Sequence, residues 1–269
     1  MLSIKHETVY RYSTPVGYSI QQLRVSPRLE PRQRVVSWQI ATPGNRHAFI
    51  DAYGNSSQML TITTPHDEVR IVASGLVEVS APDRGRMPDH ALLSPLAFTV
   101  STRLTELSDP VKDFARRHLQ RGAVTRQLLD LTEAIRGAVA YQTGATAVTT
   151  TAEDALALGM GVCQDHAHLF LACCHTVGIP ARYVSGYIDA GDADHGASHA
   201  WVDAWVDEVD YSGWISLDVT HACLQDDGYC RLAVGRDYES AAPVRGVRRG
   251  GSDESLAVNV EISRSPARA

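Results

Sequence analysis

The chain contains no long hydrophobic run. Hydrophobic residues make up 44% of its 269 positions, but no stretch approaches the ~20 consecutive apolar residues of a transmembrane helix. The first residues, MLSIKHETVYRYST, also lack the basic segment and the apolar core of a secretory signal peptide. We therefore expect a cytoplasmic protein that has no membrane partner.

An excess of positive charge is missing as well. The sequence has 25 lysine and arginine residues against 31 aspartate and glutamate residues, which gives a formal net charge of −6. Such a charge creates no strong attraction to nucleic acid or to anionic membranes, so we expect neither as a partner. No sequence feature indicates an oligomeric state.

Cysteine is too scarce for a disulfide framework, since only five occur in 269 residues without an export signal. Cys223 and Cys230 do not form a close C-x-x-C pair, so we expect no zinc there. Cys173 and Cys174 lie in an apolar segment and are predicted to pack as small hydrophobic residues. Cys163 is the cysteine that calls for a chemical explanation.

The first part of the chain, residues 1–82, has the pattern of β structure. Its short segments are rich in Val, Ile, Thr and Tyr and are bounded by Pro, Gly or Asn. No helical stretch separates them, which favours a β-sandwich. The proline-bearing segment 83–98 is predicted to connect this domain to a second domain, residues 99–269.

The second part begins with helices and continues with strands. DPVKDFARRHLQ, RQLLDLTEAIRGAVAYQ and TAEDALALG have helical spacing or caps, with Thr151 and Asp154 as a capping box. The helix that starts at Cys163 is apolar nearly all round and is predicted to be buried. ARYVSGYID, HAWVDAWVDE and GWISLDVT predict strands, 242–255 a loop and 256–264 a last strand. We therefore predict an α+β fold: an N-terminal β-sandwich followed by an α+β core whose buried helix packs on a mostly antiparallel sheet.

Cys163 follows GMGV at the start of this helix. Unpaired N–H groups and the helix dipole favour an anion at a helix N-terminus, so they lower the pKa of a thiol there. The backbone N–H of Cys163 would also point to where an oxyanion develops. These features indicate a nucleophilic thiolate.

A thiol nucleophile needs a histidine and a group that orients the imidazole. His199 in SHAWVDAWV and Asp218 in GWISLDVT are the candidates. If the two strands form a hairpin that turns at 207–210, Val206 pairs with Tyr211 and His199 lies opposite Asp218. Opposed residues have Cβ atoms ~4.5–5.5 Å apart, close enough for an imidazole to donate to a carboxylate.

Each of these residues also has an ordinary structural interpretation, and spacing alone leaves both open. A buried cysteine, a strand histidine and an aspartate at a strand end commonly serve packing and turns. A third alternative is a mononuclear zinc hydrolase with four ligands, Cys163, His166, His199 and Asp218. His168 is predicted to be a hydrogen-bonded core histidine, and Asp165 a structural acid of the first helical turn.

Several motifs together resemble the bacterial transglutaminase-like proteins, whose core has the papain-like Cys-His-Asp fold. They are GVCQDHAHLFLACCHTVGIPARYVSGY, SHAWVDAWV, GWISLDVTHA and GRDYESAAPVRGV. The opening IKHETVYRYSTPVGYSIQQLRVSPR resembles the β-rich domain that precedes that core. The resemblance implies that Cys163 is the nucleophile, His199 the base and Asp218 the orienting carboxylate.

Two properties of the animal transglutaminases have no counterpart in this sequence. No acidic loop aligns with their calcium sites, so we expect no metal and no other cofactor. No tryptophan upstream of Cys163 matches their oxyanion-hole tryptophan, so the Cys163 N–H is the predicted oxyanion donor, with Gln164 and Tyr141 as weaker candidates. Four residues are weaker candidates for binding a peptide or protein substrate: Trp201, Arg236, Tyr238 and Arg245. Trp205 is expected to pack in the core, and Arg248 and Arg249 to be solvated.

The sequence thus predicts a thiol acyl-transfer enzyme that acts on peptide, isopeptide or glutamine amide bonds. We expect the thioester to be hydrolysed, as in a cysteine protease or amidase. One alternative is a transglutaminase or peptide ligase, in which an amine takes the acyl group. Another is a peptide-binding module that has the fold without catalysis.

Overall fold

The structure is a computed structural model that describes residues 1–88, 93–189 and 198–264. Its first sheet is built around one long strand whose side chains alternate between buried and exposed over most of its length. The first five strands are β1 (Leu2–Leu23), β2 (Gln33–Ala41), β3 (Asn45–Ile50), β4 (Ser56–Ile62) and β5 (His66–Val79). Their order is β2-β5-β1-β4-β3. The first half of β1 pairs with β5 and its second half with β4, so β1 bends and the sheet curves.

The predicted β-sandwich is not confirmed: the described strands of the N-terminal region form one curved sheet, and no second described sheet of this region faces it. The physical reason is that the apolar face of this sheet is covered in two other ways. Near the bend it closes on itself, with Val16, Leu60 and Ile71 in one cluster. At its other end, Leu2 and Ile4 pack against side chains of the second sheet.

Where it is described, the chain from residue 83 to residue 105 contains three short 3₁₀ turns and one short strand. The turns are Asp83–Gly85, Pro95–Phe98 and Arg103–Thr105, and the strand is β6 (Arg86–Met87). Met87 and Phe98 are buried against Trp214 of the second sheet. The connection predicted for 83–98 is therefore packed onto the core where it is described.

The helices of the core follow in the order predicted from sequence. They are α1 (Asp109–His118), α2 (Thr125–Ala138), α3 (Ala152–Leu158) and α4 (Cys163–Thr176), with the paired strands β7 (Ala140–Tyr141) and β8 (Met160–Gly161). The capping box of α3 is confirmed, because the Thr151 hydroxyl accepts from the Asp154 N–H. Gly159 ends α3 with φ 69°, a left-handed conformation that glycine adopts easily.

The second sheet is antiparallel and carries α4 on one face. Its main strands are β9 (Ala181–Ile188), β10 (Ser198–Glu208), β11 (Tyr211–Asp218), β12 (Cys223–Leu224) and β13 (Tyr229–Gly235), in the order β12-β11-β10-β9-β13. Cys173 and Cys174 are buried in the cluster between helices and sheet, as predicted. The buried helix on an antiparallel sheet is therefore present as expected.

The C-terminal segment differs from the sequence prediction. After α5 (Tyr238–Ala241), β14 (Val244–Gly250) and β15 (Glu254–Arg264) both pair with β1. Residues 244–250 are thus a strand where a loop was predicted, and 244–264 extend the first sheet although the predicted division placed them in the core. The side chains of β14 are mostly exposed, so its sequence lacks an apolar period and its backbone pairing with β1 determines its structure. No helix in the described part of the chain is long and apolar enough to cross a membrane.

Candidate active site

Cys163 is the first residue of α4, and its thiol is partly exposed whereas most of the helix is buried. The parallel pair β7–β8 brings the chain to this point, with Tyr141 opposite Gly161. Oδ2 of Asp165 fixes the start of the helix, because it accepts from the Val162 N–H at 2.8 Å and from the Thr146 hydroxyl at 2.7 Å. Asp165 therefore has the structural role that was predicted.

His199 on β10 and Asp218 at the end of β11 are in direct contact. Nε2 of His199 donates to Oδ2 of Asp218 at 2.7 Å. The predicted register was wrong by two residues, since Tyr211 pairs with Glu208 and not with Val206. A shift by two residues leaves every side chain on its original face, so the predicted contact still forms as a diagonal pair.

The carboxylate of Asp218 is fully buried and saturated with hydrogen bonds. Oδ1 accepts from the backbone N–H groups of Thr220 at 2.9 Å and His221 at 3.1 Å. Oδ2 accepts from His199, from Nδ1 of His221 at 2.7 Å and from the Tyr229 hydroxyl at 2.8 Å. Burial alone would raise the pKa of Asp218, but its hydrogen bonds from the two histidines hold it well below its usual range. Asp218 is therefore a carboxylate at neutral pH.

His199 lies between this carboxylate and the thiol. Because Nε2 donates to Asp218, Nδ1 is the ring nitrogen that remains for Cys163. Burial would lower the pKa of His199, but hydrogen bonds to Asp218 and Cys163 and the charges of both raise it to about 10. The arrangement favours the imidazolium form of His199 next to the sulfur of Cys163.

The other histidines of the Cys163 motif are structural. Nε2 of His166 donates to the Val139 carbonyl at 2.9 Å, and Nδ1 lies 3.0 Å from the Thr220 hydroxyl. Nε2 of His168 accepts from the Tyr238 N–H at 3.1 Å, and burial lowers the pKa of this histidine to about 4. His168 is thus a hydrogen-bonded core histidine, as predicted. His166 has no nitrogen left for the zinc site that was considered from sequence.

Among the described residues, one group could offer three metal-ligating atoms, those of His199, Asp218 and His221, which lie within 4.8 Å of one another. Both histidines direct a nitrogen at the same carboxylate oxygen at 2.7 Å, a hydrogen-bond distance. Sequence analysis missed His221 and Tyr229. The signal for His221 was its place three residues after Asp218, where an aspartate turn folds the chain back on its own carboxylate.

The side chains of the two weaker oxyanion candidates, Gln164 and Tyr141, have different surroundings. Nε2 of Gln164 donates to the Val148 carbonyl at 3.1 Å, so this side chain holds a neighbouring segment. Tyr141 lies next to the site, since burial and then the nearby charge of Cys163 raise the pKa of its hydroxyl. Among the side chains, Tyr141 is therefore better placed than Gln164, while the backbone N–H groups of Cys163 and Gln164 stay predicted donors.

Trp201 does not line a cleft. It is fully buried and stacks on the ring of His199, with centroids 6.1 Å apart and 23° between the planes. Its indole N–H donates to Oε1 of Gln225 at 3.2 Å. A direct contact with substrate, as predicted for Trp201, does not fit this burial, because the side chain packs in a cluster with Val184 and Tyr229. Trp205 packs edge-to-face on Trp214, as expected for a core residue.

The arginine-rich segment is a strand and not a loop. Arg245 is exposed on β14, where it contacts the Glu239 carboxylate at 3.7 Å and donates to the Glu239 carbonyl at 3.0 Å. Arg248, predicted to be solvated, is exposed but pairs with Glu254 at 3.2 Å. Tyr238 packs edge-to-face on Tyr183 in the core. Arg245 and Tyr238 thus have partners within the protein, while Arg236 and Arg249 stay partly or fully exposed, and substrate binding by Arg236, Tyr238 and Arg245 stays a prediction.

Comparisons with known proteins give matches for both parts of the chain. Residues 2–78 match the bacterial transglutaminase-like N-terminal region, and residues 112–219 match the transglutaminase-like superfamily. An uncharacterized protein of Mycobacterium leprae is 34% identical over 286 residues, covering 98% of this chain and 98% of the relative. One of Mycobacterium tuberculosis strain H37Rv is 31% identical over 287 residues, covering 96% and 91%.

A solved structure has the same fold. It is a protein of Cytophaga hutchinsonii, provisionally described as a cysteine protease, with a TM-score of 0.77 at 22% identity over 97% of this chain and 89% of that chain. Cys163 lies on a helix, and His199 and Asp218 lie on strands. This papain-like arrangement defines the class of the protein as transglutaminase-like. The chain belongs to the bacterial transglutaminase-like proteins, and Cys163, His199 and Asp218 all lie in the part that matches the superfamily.

Proposed function

We propose that the protein is a thiol acyl-transfer enzyme that acts on amide bonds of peptides or proteins. The observation that carries the proposal is the position of His199, which is hydrogen-bonded to Asp218 on one side and to Cys163 on the other. A cysteine at a helix N-terminus next to an imidazolium is an activated nucleophile. No step requires a metal or another cofactor.

In the first half of the reaction, the Cys163 thiolate attacks the carbonyl carbon. The developing oxyanion is stabilised by the Cys163 N–H, with the Tyr141 hydroxyl as a second donor. Nδ1 of the His199 imidazolium gives its proton to the leaving nitrogen, the C–N bond breaks and an amine leaves. The products of this half are a thioester on Cys163 and a neutral His199 whose remaining proton is on Nε2.

In the second half, a new nucleophile resolves the thioester. Nδ1 of His199 takes its proton as it attacks, the C–S bond breaks and the thiolate–imidazolium pair returns. We propose water as this nucleophile, which makes the enzyme a cysteine protease or amidase acting on peptide, isopeptide or glutamine amide bonds. An amine would make it a transglutaminase or ligase, because the same residues serve both reactions and only acceptor binding and water exclusion differ.

A peptide library incubated with and without a primary amine tests the reaction, with products identified by mass spectrometry. For the native protein we expect a gain of water on cleavage, or of water minus ammonia on deamidation, and for Cys163→Ala we expect unchanged peptides. Cys223→Ala is the matched control, since Cys223 is also partly exposed but lies outside the proposed chemistry. A mass gain of amine minus ammonia would assign transamidation instead.

Labelling with iodoacetamide near pH 6 tests the nucleophile without a substrate. A thiolate paired with His199 should be alkylated much faster than the other four cysteines, of which Cys173, Cys174 and Cys230 are buried. Slow and equal labelling of all five cysteines would contradict the enzyme and support a peptide-binding module with this fold.

A further inference from the structure

Asp218 serves two imidazoles. Its Oδ2 accepts from Nε2 of His199 and from Nδ1 of His221, both at 2.7 Å. The Tyr229 hydroxyl donates to the same oxygen at 2.8 Å. His199 has its place in the proposed reaction, whereas the reaction as written above uses no second histidine.

The chain holds His221 firmly against this carboxylate. Its own N–H and that of Thr220 bond Oδ1 of Asp218, so the turn after β11 is closed by the aspartate. Ala222 follows with φ 52°, a left-handed conformation that is uncommon for residues other than glycine. The His221 ring lies 5.3 Å from the His199 ring, centroid to centroid, and its side chain is 37% exposed. The buried carboxylate therefore has one imidazole on the thiol side, and its second imidazole, that of His221, is partly exposed.

The charge next to Asp218 changes during the proposed reaction. While Cys163 is a thiolate, His199 is an imidazolium and its positive charge stabilises the buried carboxylate. Once the thioester has formed, His199 is neutral and that charge is gone. A buried carboxylate without a neighbouring cation tends to take up a proton.

Protonation of Asp218 at this stage would stop the second half of the reaction. A protonated Asp218 would donate to Nε2 of His199, and the neutral imidazole would then carry its proton on Nδ1. Nδ1 could not accept a proton from the attacking water. The donors that remain on Oδ2, the His221 N–H and the Tyr229 hydroxyl, favour the ionised carboxylate and therefore the productive tautomer.

We propose that His221 is a positioning residue that keeps Asp218 ionised while His199 is neutral, so that it supports thioester breakdown more than thioester formation. The inference rests on the proposed function. It concerns Nδ1 of His221, and this makes it testable by substitution. The amide nitrogen of asparagine can take the place of Nδ1, whereas that of glutamine takes the place of Nε2.

Burst kinetics with p-nitrophenyl acetate separate the two halves of the reaction. Nitrophenolate leaves without a proton, so the burst reports thioester formation and the steady state reports its hydrolysis. For His221→Ala we expect the burst and the iodoacetamide labelling of Cys163 to stay near the native rates. The steady state should fall by about tenfold or more, the equivalent of one hydrogen bond to a charged group.

The variants His221→Asn and His221→Gln test the role of Nδ1 independently if the alanine variant folds poorly. Asparagine should restore most of the steady-state rate, and glutamine should not. His47→Ala, which changes an exposed histidine of β3, is the matched control and should behave as the native protein. Circular dichroism melting shows which variants are folded.

Each outcome either supports or contradicts the proposed role of His221. A slow steady state with an intact burst, restored by asparagine, supports the role. A native steady state in His221→Ala overturns it, and so does an equal loss of labelling, burst and turnover, which would indicate a structural role alone. If the native protein itself gives neither selective labelling nor a burst, the proposed function has failed, and the inference fails with it.

Discussion

Two buried carboxylates of the second sheet have the same burial but different partners. Asp203 on β10 and Asp218 on β11 are both fully buried. Asp203 accepts from Nε of Arg182 at 2.8 Å and from Nη2 of Arg231 at 2.5 Å. Asp218 accepts from the imidazoles of His199 and His221.

The kind of cation decides what each carboxylate can do. Burial alone would raise the pKa of Asp203, but Arg231 and Arg182 hold it well below its usual range. An arginine keeps its proton at every working pH, so the charges of this cluster are fixed. The cluster therefore holds strands together and moves no proton. Imidazoles gain and lose protons near neutral pH, so the cluster of Asp218 can move protons during a reaction.

The arginine cluster also joins the two sheets. Nε of Arg231 contacts Glu30, which follows the first strand of the chain, at 3.2 Å. Nη1 of Arg231 donates to Oε1 of Gln225 at 2.9 Å, and Gln225 accepts from Trp201, which stacks on His199. The arginine cluster thus supports the His199 ring through Gln225 and Trp201. The comparison predicts that the same substitution at the two aspartates has opposite consequences for activity and stability.

The largest effect is expected for Asp218→Asn. The amide can donate to Nε2 of His199, which would place the imidazole proton on Nδ1 and prevent it from acting as a base. We expect turnover of p-nitrophenyl acetate to fall by about 10⁴-fold, as for the wrong tautomer of a catalytic histidine. Near neutral pH the free energy of unfolding should also fall, but by less than for Asp203→Asn, because an imidazole such as that of His199 can lose its proton when the carboxylate is gone, whereas a guanidinium group cannot.

Asp207→Asn is the control for this change, because Asp207 is exposed on the same hairpin. It should leave turnover at the native value. A folded Asp218→Asn variant with native turnover would show that Asp218 does not orient His199.

The second effect concerns Asp203→Asn and appears in stability. Arg182 and Arg231 would be left buried without a carboxylate, and they cannot lose their protons. We expect the free energy of unfolding to fall by about 3–5 kcal/mol, the usual cost of breaking a buried ion pair. Urea denaturation followed by circular dichroism measures it, with Asp207→Asn again as control. Iodoacetamide labelling of Cys163 in the folded fraction should stay near the native rate.

Sequence reasoning found the three residues of the site because their signals are local. Gly161 and Val162 before an apolar helix place Cys163 at its N-terminus, a position that the structure shows. The side-chain period of a strand is two, so a register error of two residues still left His199 and Asp218 on one face.

The parts that sequence reasoning missed depend on contacts between distant segments. Glu30 and Arg231 are 201 positions apart, and neither has a local pattern that indicates the other. β14 pairs with β1 through its backbone, while its exposed side chains have the composition of a loop. His221 is the exception, since its contact with Asp218 spans three residues and an aspartate turn could have indicated it.

The smallest effect is the dependence of stability on pH, and it distinguishes the two clusters directly. The pKa of His199 is raised from 6.5 to about 10 by folding, so its contribution is complete below about pH 6.5 and is lost as the pH rises through 10. The pKa of Asp218 is lowered, so its contribution is complete above its ordinary value of 3.8 and is lost at lower pH. The histidine cluster should therefore stabilise the protein most between these two ordinary values.

Urea denaturation at several pH values gives the difference in unfolding free energy between the native protein and Asp218→Asn. From pH 6.5 to 10 this difference should shrink, by no more than about 1.4 kcal/mol per pH unit for one proton. The corresponding difference for Asp203→Asn should stay constant between pH 4 and 10, because folding lowers the pKa of Asp203 and raises that of Arg231. Parallel curves for the two variants would mean that the imidazoles of the Asp218 cluster do not change charge in this range, and this would remove the physical basis for separating a catalytic from a structural carboxylate.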